Sequence, residues 1–297
     1  MQWLILYLMV FAGIQCLTGN VDPEMFAFPV GSGLGVAAIA FLFVLDREKG
    51  QSNWMRRFRS PHTACWLLAL VAGWCIVGGC MPAAASFSTS WPFVALLVVL
   101  LAHLTLVIIH RLHHFSFKRD GAFMALHAGL WLALFSGVVG AGDTQEMKAI
   151  VNREEETIMA VGKDGCIAPL GYKLQLQDFT VETSEADGSP TQYRAQLLMD
   201  GAPVIIEVNS PLSVNFGEDI YLTNFEANPA TGVTTHCMLT IVHQPWKYPM
   251  LLGILLLLAG VAWYLKMLGT TSQSHPRSSD IAGSSLSSTP LNSETTT

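Results

Sequence analysis

Two histidines stand where water is scarce. His103 lies in the apolar run Trp91–His110, and His127 lies in Gly121–Ala141, 21 residues without a charge. An imidazole within hydrocarbon is costly, so it faces the bundle interior and marks a ligand site, a proton relay or a polar contact. His103 precedes His110 by seven residues and His127 follows Asp120 by seven. At 1.5 Å rise each ring sits about 10 Å from the boundary of its span, and the short connection makes the two helices antiparallel neighbours. The rings can therefore share a level. A neutral imidazole is an axial ligand for haem iron, and "AFMALHAGLWLALF" offers an apolar, aromatic face to a porphyrin. Ala125, Ala128 and Gly129 beside His127, with Gly137 and Gly140 beyond, are small enough to admit the macrocycle. The plainer reading is that each ring hydrogen-bonds a neighbouring helix as polar glue.

Other constellations carry less. His110, His113 and His114 make an i, i+3, i+4 set with metal-binding spacing. No carboxylate stands beside them to complete a zinc site, and a cluster at the lipid headgroups is the simpler account. Cys166 and Cys237 are the only cysteines between residues 143 and 247; they form a disulfide there or stay buried and reduced. There is no C-x-x-C-H, so the chain is not itself a c-type haem protein. "VGSGLG" at Val30–Gly35 imitates a dinucleotide loop but lies inside an apolar run with no preceding strand. Close helix packing explains it better.

The elements that position these residues are membrane spans. Hydrophobic residues make up 51% of the chain, charged residues 13%, and the mean hydropathy is +0.42, too little polar surface for a soluble domain. Six runs are long enough to cross: 1–17, 26–45, 62–81, 91–110, 121–141 and 248–268. The first has no basic n-region or small-residue cleavage pattern and reads as a retained helix. Arg47, Lys49, Arg56, Arg57 and Arg59 fill the second connection and Arg111, Lys118 and Arg119 the fourth, whereas loops 18–25 and 82–90 have no Lys or Arg. Both termini are therefore cytoplasmic and residues 143–247 external. That segment holds 15 of the 22 acidic residues against six basic ones. The net charge of -6 says little about nucleic acid, and no nucleic-acid partner is expected.

Five regions follow. An N-terminal hairpin occupies 1–45, a three-helix core 46–142, the external domain 143–247, the last span 248–268 and a Ser/Thr-rich, disordered tail 269–297. In "GYKLQLQDFTVE" Tyr172, Leu174 and Leu176 alternate with polar residues, the period of a half-buried strand. "RAQLLM", "VIIEV", "IYLTNF" and "CMLTIV" read as further strands of a small antiparallel sandwich or open barrel, with "MDGAPV" as a turn. Residues 144–160 are ambiguous between helix and loop. The fold class is a polytopic α-helical membrane protein of six helices, with an external β-rich domain between the fifth and sixth.

From Phe58 onward the chain resembles the ResB-like family of cytochrome c biogenesis proteins. The resemblance rests on order: "FRSPHTACWLLALVAGWCIVGGC", "SWPFVALLVVLLAHLTLVIIHRL", "FKRDGAFMALHAGLWLALFSGVVGAGD", "VNSPLSVNFGEDIYLTNFE" and "LTIVHQPWKYPMLLGILLLLAGV". It implies a membrane subunit of a cytochrome c synthase, in a bacterial cytoplasmic membrane with its large domain on the periplasmic face. Such a subunit works beside a CcsA-type partner, carrying haem b as transient cargo to apocytochrome c. His127, in His127-x-Gly129-Leu130, matches the family's membrane haem ligand, with His103 as a second candidate. The family's Asp-Pro before the last span is Gln244-Pro245 here, and residues 1–45 have no counterpart. Two other classes remain open: a structural or chaperone module without haem, and a small proton-coupled transporter using His103 and His127.

The charge asymmetry predicts that a membrane-impermeant thiol reagent labels single cysteines introduced at 185–190 in intact cells but not at 280–290. Labelling of the tail would overturn the orientation.

Overall fold

The computed structural model describes residues 2–80, 87–184, 186–187, 189–227 and 234–273. Among these, seven α-helices form: α1 (Gln2–Thr18), α2 (Val30–Lys49), α3 (Asn53–Phe58), α4 (Pro61–Cys80), α5 (Trp91–Leu112), α6 (Phe117–Asp143) and α7 (Lys247–Gln273). Five of them (α2 and α4 to α7) are long and apolar enough to cross a membrane. The apolar α1 has 17 residues, about 26 Å of helix against a hydrocarbon core of about 30 Å. The sixth crossing expected from the sequence rests on this shorter helix.

Several element boundaries differ from those expected from the sequence. Residues Pro23–Phe26 form a 3₁₀ turn capped by Asp22, so α2 begins at Val30. The basic connection contains α3, whose first turn is held by Ser52 Oγ accepting from the Met55 N–H at 3.2 Å. The last helix runs past 268 to Gln273; its one proline, Pro249, stands in the first turn, where a proline is tolerated. The rest of the expected disordered tail, 274–297, lies outside the described residues.

Within the bundle α5 is central, touching α1, α2, α4 and α6. Leu67 on α4 and Leu96, Leu100 and Leu104 on α5 form its buried core. The tightest pair is α6 with α7. A Cβ added at Gly129 would lie 2.5 Å from the Leu257 backbone nitrogen, and one at Gly253 2.6 Å from that of Ala133. A Cβ at Gly260 would lie 2.7 Å from the Leu126 nitrogen. Only glycine permits backbones this close. Gly129 and Gly140 therefore serve contacts with Leu257 and Trp246, and Gly137 faces Met250; these three glycines do not make room for a macrocycle. The close-packing reading of "VGSGLG" holds at two positions: Gly31 meets Val139 and Gly35 lies under the Phe135 ring.

Between α6 and α7 the chain forms one antiparallel sheet of eight strands. They are β1 (Gln145–Asn152), β2 (Thr157–Gly162), β3 (Ile167–Thr183), β4 (Pro190–Met199), β5 (Ala202–Glu207), β6 (Leu212–Asn215), β7 (Glu218–Ala227) and β8 (Thr234–His243), in spatial order β5-β4-β3-β2-β1-β8-β7-β6. The sheet curls until β5 touches β7, enclosing a single core that includes Leu174, Leu197, Ile206, Ile220 and Leu239. It is thus closer to an open barrel than to a sandwich. Tyr172, Leu174 and Leu176 face inward as their alternation requires. The ambiguous stretch 144–160 is the β1–β2 hairpin, with Ala149 and Val151 buried and the turn held by Asn152 Oδ1 accepting from Glu154 and Glu155 N–H. At the β4–β5 turn Asp200 and Gly201 take positive φ, 49° and 82°, the backbone of a type I′ hairpin.

The sheet is an extension of the α6–α7 pair. One residue, Thr144, separates α6 from β1, and β8 leads into α7 within four residues. β1 and β8 pair without a break from Gln145↔His243 to Asn152↔His236. The two packed helices thus lead straight into two paired strands, with only short connections between them. Lys247 Nζ on α7 adds a latch, donating to Asp219 Oδ2 of β7 at 2.7 Å, while Ser213 Oγ donates to Asp219 Oδ1.

Gly253→Leu should force the α6 and α7 backbones apart, costing about 1–3 kcal/mol and lowering the thermal midpoint in detergent; Gly73→Leu, which meets open space, should leave it unchanged. The Asp219 carboxyl also gives a pH dependence. Burial pushes its pKa up, but the bonds from Lys247 and Ser213 outweigh this and hold it below the ordinary value. A depressed folded-state pKa stabilises above the unfolded value, about 3.9, and this is lost as pH falls through the folded value. Amide exchange in β6 and β7 should accelerate on acidification below about pH 4, and Asp219→Asn should remove that dependence.

Candidate functional site

On α6, residues 123, 127, 131 and 135 are four apart and share one side of the helix, away from the glycine face that meets α7. All four are aromatic or imidazole: Phe123, His127, Trp131 and Phe135. They form a strip of half-buried rings. His127 stacks on Phe123 with centroids 3.8 Å apart, and Trp131 stacks on Phe135 at 4.7 Å. Trp131 Nε1–H donates to Thr105 Oγ1 on α5 at 2.8 Å, and Phe135 meets Trp246 edge to face at 6.1 Å.

His127 Nδ1 lies 2.9 Å from the Phe123 carbonyl oxygen, one turn back. A carbonyl oxygen only accepts, so Nδ1 carries the proton and the lone pair of the neutral ring is on Nε2. Among the described residues no hydrogen bond reaches that atom. The ring's tautomer and orientation are thus fixed by its own helix while Nε2 is left open, the arrangement that ligating histidines use.

His103 is differently placed. It is buried to 3% exposure, and its Nδ1–H donates to the Phe58 carbonyl at 2.8 Å, with the two rings edge to face. Phe58 is the last residue of α3, so the imidazole ties α5 to the end of that helix. Here the polar-glue reading has a concrete partner.

Both ends of α6 are anchored by carboxylates. Asp120, fully buried, pairs with Arg111 at 2.6 Å and Arg119 at 2.9 Å and accepts from the Ser116 N–H. Arg111 also lies over the Phe123 ring, 5.2 Å from its centroid, placing a cation at one end of the strip. Asp143, at the other end, accepts from the Phe28 N–H at 2.8 Å and from Trp246 Nε1–H at 2.6 Å. The four-residue spacing of the rings was readable in the sequence; partners more than a hundred residues away were not.

The remaining sequence candidates sort plainly. His113 has a carboxylate beside it after all: Asp46 of α2 lies 3.5 Å from its Nε2 and also pairs with Arg59. This carboxylate is 67 positions away in the chain and is brought there by the fold. Among the described residues no three His, Cys, Asp or Glu side chains group to hold a metal ion. Cys166 and Cys237 are not brought together. Cys166 is exposed in the β2–β3 turn next to Gly162, whose rung runs through Met147 to Ile241. Cys237 is buried four residues further along β8, about 13 Å of strand, beyond disulfide reach. Its thiol is pushed up to about 11 by burial, so it is an inert core residue. Cavities of about 560 Å³ on the sheet, beside Tyr221 and Thr240, and 530 Å³ beside Trp263 and Lys266 do not include His127.

Residues 116–243 match the model of the ResB-like family. The match opens at the residue capping α6 and closes at the end of β8, a shorter reach than the resemblance traced from Phe58. A solved structure titled Cytochrome c Heme Lyase CcmF is similar over 69% of this chain and 34% of its own, at 11% identity and a TM-score of 0.38. The chain thus spans about a third of that protein. Among curated proteins none matches. The helix that carries His127 and the sheet built upon it are the part of the chain that is similar to the ResB-like family.

Proposed function

We propose that the chain is the haem-holding membrane subunit of a cytochrome c maturation complex, with His127 Nε2 as an axial ligand of haem b in transit. The observation that supports this most is the open Nε2 of a ring locked by the Phe123 carbonyl, on an aromatic strip, within the ResB-like region. The porphyrin is cargo and lies against the half-buried side of α6, where Phe123 and Trp131 flank the imidazole. Arg111, at the end of the strip, supplies positive charge toward the propionate carboxylates. The other face of the macrocycle is covered by a CcsA-type partner, which supplies ligation chemistry this chain lacks. The acidic sheet, on the periplasmic face, attracts basic apocytochrome c and presents it to that partner. His103 is the second candidate ligand, but its bond to Phe58 gives it a structural role of its own.

His127→Ala should remove or sharply weaken the Soret absorbance of the purified complex and abolish cytochrome c maturation, while the protein still accumulates. Added imidazole should restore part of the spectrum. His103→Ala should instead lower stability by about 0.5–1.5 kcal/mol, by removing the bond that ties α5 to the end of α3. Full haem content and normal maturation in His127→Ala would sink the proposal. Maturation with no haem in the wild-type complex would point to the chaperone reading, and proton-coupled flux in vesicles to the transporter.

A further inference from the structure

The tip of the β6–β7 hairpin presents an aromatic ring in an unusual place. Phe216 is 69% exposed, far more than a large apolar side chain on a settled turn needs. Its backbone is not free to move away. The neighbouring Gly217, at φ 79°, accepts from the Gln244 N–H through its carbonyl, and a Cβ there would lie 2.8 Å from Pro245 Cα. The hairpin is therefore seated on the entry to α7, and the Lys247–Asp219 pair holds it there.

What the tip faces follows from α7. Phe216 stacks on Tyr248 in the first turn of that helix, with ring centroids 4.6 Å apart. Tyr248 opens the exposed apolar surface continued by Leu251 and Leu252, at 52% and 53% exposure. The segment Lys247–Gly269 is one of the membrane-crossing helices, so these leucines face acyl chains and Tyr248 sits at the boundary. Aromatic rings concentrate at that depth because they are apolar with a polar edge. Phe28 and Met25, exposed to 71% and 66%, lie on the connection packed against the same end of α6. An apolar ring stacked at this boundary is continuous with the lipid-facing surface.

We propose that the β6–β7 tip is a lipid-binding element, in which Phe216 seats beside Tyr248 in the headgroup–acyl boundary on the side of the membrane that carries the sheet. The sheet is then held to the bilayer at a second point besides the α6–α7 stem, which fixes its tilt. This inference is independent of the haem assignment.

The test uses the full chain in nanodiscs of phosphatidylcholine and phosphatidylglycerol, with a photoreactive benzoylphenylalanine replacing Phe216, Leu251 or Ile158. Ile158 is 47% exposed and apolar but follows the β1–β2 turn, one strand length or about 26 Å from the membrane end of the sheet. On irradiation with radiolabelled lipid, position 216 should form lipid adducts within about twofold of position 251 and about tenfold above position 158. Adducts at 216 no more abundant than at 158, or cross-links to a second protein chain in place of lipid, would overturn the proposal.

Discussion

Everything about the site follows from how closely α6 and α7 approach. Gly129, Gly253 and Gly260 let the two backbones meet at distances no side chain would tolerate. In hydrocarbon there is little hydrophobic force between helices, so packing and backbone proximity do the holding. With one side of α6 consumed by α7, the other side is left to α5, α2 and whatever enters between them. On that other side stand Phe123, His127, Trp131 and Phe135. The glycine contact and the aromatic strip are two faces of one decision about which residues recur every three or four positions.

The same pair sets the relation between membrane and sheet. Because α6 runs into β1 after one residue and β8 into α7 after a few, the paired helices continue directly into paired strands. A free linker would let the sheet wander. This junction instead delivers it at a set height above His127, braced by Lys247 on Asp219 and by Asp143 on Trp246. Asp120 and its two arginines do the equivalent work at the other end of α6. The helix that presents the candidate ligand is therefore constrained along its length and at both termini, as a preorganised site requires.

Much of this was legible beforehand, for identifiable reasons. Long apolar runs and a two-residue alternation are local signals, so α4 to α7 and the strands through Tyr172, Leu197 and Ile241 stood out. His127 was legible because an imidazole in an uncharged run demands an explanation. The β1–β2 hairpin was not, since "NREEET" masks two short strands whose burial depends on β8. Nor was the division of labour among small residues: composition shows that Gly129 is small, but only the packed pair shows that Leu257 fills the space beside it. Long-range polar partners stayed hidden for the same reason. Asp46 with His113, Asp143 with Phe28 and His103 with Phe58 are joined by the fold and not by spacing.

The account turns on one atom, His127 Nε2. Resonance Raman spectroscopy of the reduced, haem-loaded complex tests it most directly, using protein grown with ¹⁵N-histidine and its natural-abundance counterpart. If Nε2 holds the iron, an iron–histidine stretch should appear that shifts with the isotope and vanishes in His127→Ala. An isotope-insensitive spectrum, or a histidine stretch that survives in His127→Ala, would contradict it.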